Sequence, residues 1–153
     1  MPFAPVLNSE LIFSTLFTVL QGCYQFTTSS RLLRHWSEVI PSEQPALFMT
    51  QRDPVVKQTE RMPDIWTLGA DVYLYAQQPD QETSVDPTLN AIIDAVRSIL
   101  QPSGADAAKY GVNTLNQLVK RLWIEGNIQT AEGALGGQGV AIIPVKMTWP
   151  PNF

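Results

Sequence analysis

The 153-residue chain reads as a single domain, long enough to bury roughly 68–70% of its unfolded surface without disulfides or metal. Its formal net charge of −4, with no Lys/Arg cluster denser than Arg31–Arg34 or Lys120–Arg121, argues against a protein that grips nucleic acid by neutralising phosphates. The lone cysteine, Cys23, excludes an internal disulfide framework and a cysteine-based zinc site, and points to a reducing compartment. Charged residues make up only 16% of the chain, below the usual quarter, which leaves uncharged surface for neighbours to cover. Twelve prolines predict many fixed turns and few long helices.

Residues 1–7 read as an irregular arm. Asn8 or Ser9 caps a helix through about Gln21, with Glu10 in its first turn. Ile12, Leu16, Val19, Leu20 and Cys23 form one apolar stripe, and Phe13, Phe17 and Leu20 a second beside it. A surface that wide requires either deep burial or a neighbouring subunit. Leu11–Cys23 also ends like a lipoprotein cleavage site, but no Lys or Arg precedes Arg31, and the stretch is too short to span a bilayer.

Phe26–Trp36 has β character, "SEVIPSEQ" reads as a turn or brief helix, and Pro45–Gln51 as a strand. The polar stretch Gln51–Arg61 reads as an exposed loop or strand extension. Ile65–Ala76 is the clearest strand. Trp66, Leu68, Ala70, Val72, Leu74 and Ala76 point one way; Thr67, Gly69, Asp71, Tyr73 and Tyr75 point outward. Asp86 and Pro87 open a second helix with Leu89, Ile92, Ile93, Val96, Ile99 and Leu100 on its buried face, ended by Pro102 and Gly104. Gln117–Thr130 and Gly139–Trp149 alternate as strands. Pro144, which has no N–H, marks the latter as an edge or a bulge. The order predicts an α+β fold, a mainly antiparallel sheet packed with two principal helices.

Between these strands lies "WIEGNIQTAEGALGGQGVAIIPV" (Trp123–Val145), with Gly133, Gly136, Gly137 and Gly139. A phosphate loop needs a helix after its glycines and a dinucleotide fingerprint needs a third spaced glycine. Here a strand follows, and Ile142 stands at the third position. The glycines therefore read as a hairpin tip. His35 is the only histidine, and no G-x-S-x-G elbow accompanies it. Asp53, Asp64 and Asp71 are too scattered to imply a metal. Asp80 and Glu82 fall in a polar loop, and Cys23 lies on an apolar helix face. Trp36, Trp66, Trp123 and Trp149 read as core or interface rather than as a ligand groove. No catalytic residue, cofactor site or metal site is expected, which favours a structural or assembly role over an enzyme.

Three stretches, in order, resemble the tail terminator (tail completion) proteins of tailed bacteriophages. Arg31–Met49 ("RLLRHWSEV…PSEQPALFM") is similar to that family's N-terminal β region, and Leu89–Leu100 ("LNAIIDAVRSIL") to its second helix. Asn113–Met147 is similar to its C-terminal hairpin, with a Trp-Ile-Glu-Gly core and a Gly-Gln-x-Val-Ala-Ile-x-Pro-Val return strand. The sequence departs from the pattern at Asn116-Gln117, where Gly-Gly is expected, and in a C-terminal tail over residues 148–153. The resemblance implies a single tail-terminator-like domain that forms a homohexameric ring on the tail tube, stops its growth and meets a head-tail connector or stopper protein. It further implies that genomic DNA passes through the lumen without sequence-specific binding, that no membrane is involved, and that the protein assembles in the host cytoplasm and ends in the virion at the tail-neck junction. The acidic balance suits a pore through which DNA slides. Gln129–Gln138 is expected to be an exposed tip that touches the tube or the adjacent subunit through Gln129, Thr130, Glu132, Leu135 and Gln138, with Phe13 and Phe17 on the wide helix as further contacts. Another neck component, or a small ligand-binding domain with a concave polar site, are the alternatives.

Overall fold

A computed structural model describes residues 6–77, 86–131 and 138–151. It is an α+β fold: one seven-stranded, mostly antiparallel sheet with helices on one face.

The spine is a pair of long strands, β4 (Ile65–Gln77) and β7 (Gln138–Trp149), antiparallel from Trp66↔Trp149 to Gln77↔Gln138. Their alternation puts Leu68, Ala70, Val72, Leu74 and Ala76 beside Ala141, Ile143, Val145 and Met147 on one buried face. The outer edge of β4 carries two strands in succession, β2 (Ala46–Gln51) and β3 (Val55–Lys57). β1 (Thr28–Ser30) adds in parallel to β2. The outer edge of β7 carries β5 (Arg121–Ile124) and β6 (Gln129–Ala131).

β7 is therefore internal, and Pro144 marks a bulge rather than an edge. Ile124 pairs with Val145 and Gln129 with Ile142, so residues 125–128 bulge against a shorter stretch of β7. The Pro144 carbonyl accepts from Glu125 N–H at 3.3 Å. That carbonyl shows which backbone side of Pro144 faces β5 and β6, and a strand residue's N–H lies on the same side as its C=O. The missing donor thus falls where the partner strand swings away. Gly126, at φ 105°, makes the swing. The continuous alternation expected over Gln117–Thr130 is broken here, although Leu122 is buried and Leu118, Ile124 and Ile128 pack against the core as expected.

Helix α1 (Ser9–Gln21) starts at Asn8, whose Oδ1 accepts the Leu11 N–H at 3.1 Å. Ile12, Phe13, Leu16 and Leu20 enter the core, and Phe17, Val19 and Cys23 pack at its margin. The wide apolar stripe is satisfied by deep burial within the chain. Helix α2 (Asp86–Ile99) buries Leu89, Ile92, Ile93 and Val96, with Leu100 just beyond it; Ile99, expected on the same face, is exposed.

Among the described residues, the opposite face of the sheet is covered at one end. The chain between β1 and β2 makes two short 3-10 turns, Trp36–Glu38 and Pro41–Glu43, and lays Trp36 and Val39 over Ala46, Phe48, Tyr73, Tyr75 and Val140. Tyr75, expected to face outward, is buried there. At the two chain ends, Leu7 packs against the core, and β7 runs to Trp149 as the alternation over Gly139–Trp149 predicts, so Thr148 and Trp149 belong to the strand and not to a tail over residues 148–153.

Candidate functional site

Of the residues expected to form the contact surface, two of those described are buried in the chain's own packing. Phe13 is 3% exposed and Gln138 5%. Gln138 lies at the start of β7, where its Nε2 donates to the Trp36 carbonyl at 3.2 Å. Both serve the chain's own packing and are removed from the expected surface. Phe17 is half-buried against the core. Gln129 and Thr130 are exposed on β6. Glu132 and Leu135, with the glycines Gly133, Gly136 and Gly137, lie outside the described residues.

The candidate chemical groups have structural positions. His35 precedes a 3-10 turn, accepts the Ser37 N–H on Nδ1 and stacks at a tilt on Trp36. Cys23 is half-buried, and burial pushes its thiol pKa up, the opposite of what an activated thiolate needs. Among the described residues no group of three His, Cys, Asp or Glu is placed to hold a metal ion. Among the described residues no helix is long and apolar enough to cross a membrane.

A groove of about 460 Å³ runs between the end of α2 and β5, bordered by Arg97, Asn113, Arg121, Leu122 and Ile128. It offers cations and apolar walls but no carboxylate, imidazole or thiol among its lining residues, so it holds no side chain suited to general-base or nucleophilic work.

Beside this groove the backbone takes an unusual form that includes Asn116 and Gln117, the two positions where the resemblance implies Gly-Gly. Leu115, Asn116 and Gln117 take φ of 49°, 57° and 65°, three successive left-handed residues. L-residues adopt this region at a cost, and the neighbours hold them there. The Asp106 carboxylate accepts the Thr114 N–H at 2.9 Å and its hydroxyl at 2.6 Å; Thr114 Oγ1 in turn accepts the Gln117 N–H at 3.1 Å. Asn113 Oδ1 accepts the Leu115 N–H at 2.9 Å. Thr114 and Leu115 are buried, while Asn116 and Gln117 are presented to solvent.

The surface carries apolar groups in two places that sequence reasoning passed over. The first is the β3–β4 hairpin. Residues 51–63 are all exposed, and Val55, Val56, Met62 and Ile65 project from it without a core of their own. Met62 and Ile65, with Trp123 and Trp149, line an apolar pocket of about 450 Å³ at the Trp66–Trp149 end of the spine. The second is the segment after β1, where Leu32 is 77% exposed, with Leu33 and Ile40 also outside. The available signals were Val-Val inside a polar run and Leu-Leu between two arginines.

No protein-family model matches the sequence, and no curated protein matches it.

Proposed function

We propose that the chain is a tail terminator of a tailed bacteriophage, a structural protein rather than an enzyme. In this reading copies close into a ring, six by the family pattern, on the end of the finished tail tube. The ring stops further polymerisation and offers a surface to the head-tail connector or stopper protein, and DNA passes through its lumen. It assembles in the host cytoplasm, is carried at the neck of the virion, and uses no cofactor.

The observation that carries the reading is the backbone at Asn116 and Gln117. The resemblance implies Gly-Gly at these two positions. Both residues adopt the left-handed conformation that glycine takes freely. The departure in sequence is thus a departure in side chain over a backbone of the expected kind. The two exposed apolar regions add support, because subunits that pack side by side need such surfaces.

The reading is tested by mass. Six chains of 17.0 kDa give about 102 kDa. Light scattering at micromolar concentration is expected to find that mass, either for the protein alone or once tube ends are added. A strict monomer in both settings would contradict it.

A further inference from the structure

We propose that neighbouring copies of this chain join head to tail, the exposed Leu32–Leu33 segment of one copy seating in the Met62–Ile65–Trp123–Trp149 pocket of the next. The inference rests on the ring reading and adds which surfaces meet.

The two regions flank opposite ends of one strand. The segment bearing Leu32 and Leu33 is tied to Tyr75, whose hydroxyl donates to the Arg34 carbonyl at 2.7 Å. The pocket is built around Ile65. Ten residues of extended β4 separate Tyr75 from Ile65, roughly 33 Å at 3.3 Å per residue. Within one chain the knob therefore cannot fill the pocket. Between the two regions the same side of the sheet is interrupted by two ion pairs, Arg52 with Asp71 and Lys146 with Glu125, set beside the half-buried Tyr73 and Ile142. A single continuous apolar patch would favour a two-fold dimer. A knob at one end and a pocket at the other form a heterologous contact, which repeats from copy to copy and closes into a ring when the rotation allows.

The rims match in charge. Lys120 and Arg121 line the pocket; at the knob the flanking Arg31 and Arg34 are paired with Glu10 and Glu43, and across the contact Lys120 faces Glu38, exposed on the 3-10 turn that covers Tyr75, as the charge to be matched. Neither Lys120 nor Glu38 has an ion-pair partner among the described residues. Each end thus brings an uncompensated charge that the other offsets, which steers the ends together and disfavours like ends.

The test uses the full chain and light scattering on the wild type, on Leu32→Glu, on Met62→Glu and on an equimolar mixture of the two variants. Both side chains are largely exposed (77% and 61%), so melts close to wild type are expected; Leu33→Glu and Ile65→Lys serve as a second pair if either variant misfolds. The expected result is a ring for the wild type, a monomer for each variant, and a dimer of about 34 kDa for the mixture, where one intact knob meets one intact pocket. A folded variant that still forms rings, or a mixture that stays monomeric, overturns the pairing and leaves the ring standing. A wild type that is monomeric with and without tube ends overturns both.

Discussion

The Tyr75 hydroxyl donates to the Arg34 carbonyl at 2.7 Å, across 41 positions of sequence. This bond ties the segment between β1 and β2 to the back of the sheet, and Phe48 packs on Tyr75 with ring centroids 5.4 Å apart.

Burial first, then the neighbouring Tyr73, pushes the Tyr75 pKa up to about 12 from an ordinary 10. The folded state therefore holds the phenol proton more tightly than the unfolded chain. The associated stability is fully present below pH 10 and is lost as pH rises from 10 to about 12. Two units correspond to roughly 3 kcal/mol. Tyr75→Phe is expected to cost about 1–2 kcal/mol at pH 7, because the Arg34 carbonyl loses its donor. Between pH 10 and 12 it is expected to lose less further stability than the wild type. Urea midpoints at pH 7, 10 and 11.5 check both parts.

The left-handed turn gives a pair of opposite outcomes. Gln117→Gly relieves an exposed residue at φ 65° and is expected to raise stability by up to about 1 kcal/mol, offset in part by the freer unfolded chain. Asp106→Ala strips the buried Thr114 of two partners and is expected to cost about 2–4 kcal/mol. Thermal melts of the two variants should move in opposite directions.

Phe13 separates core from contact surface. It lies with Ile12, Leu16 and Leu20 in the main core, so Phe13→Ala is expected to cost about 3–5 kcal/mol in chemical denaturation of the isolated chain. A variant of unchanged stability would return Phe13 to the subunit surface.

Acid weakens the fold through exposed pairs. The hydrogen bond from Lys146, then its charge, holds the Glu125 carboxyl below its ordinary value, and Arg31 does the same for Glu10. Each contribution is present above the ordinary glutamate pKa and is lost as pH falls through the lowered one. A Glu10→Gln, Glu125→Gln double variant is expected to lose less stability than the wild type between pH 7 and pH 3. Denaturant midpoints at the two values measure the difference.

Much of the frame was legible in the sequence. The alternation of Trp66 to Ala76 fixed which face of β4 is inside, and Asn8 marked where α1 begins. Pro144 gave the bulge, though not that β7 is internal, because the missing N–H says nothing of what lies across the other edge. Burial of Tyr75 was missed because a strand's outward parity is outward only until another segment covers it, and Trp36 and Val39 come from a stretch without periodicity. The contact surface was least legible. Phe13 and Phe17 advertise apolar area but not who covers it, whereas Val55, Val56 and Met62 sit in a run that looks polar and stand exposed because they lie outside both hydrophobic cores.

The most direct measurement of the central claim is the length of tail tubes grown in vitro from purified tube protein with and without this chain. At stoichiometric amounts relative to tube ends, the account predicts that elongation stops and that electron micrographs show a single ring on the growing end. Tubes that keep lengthening at the same rate, with bare ends, at every ratio of added protein would contradict it.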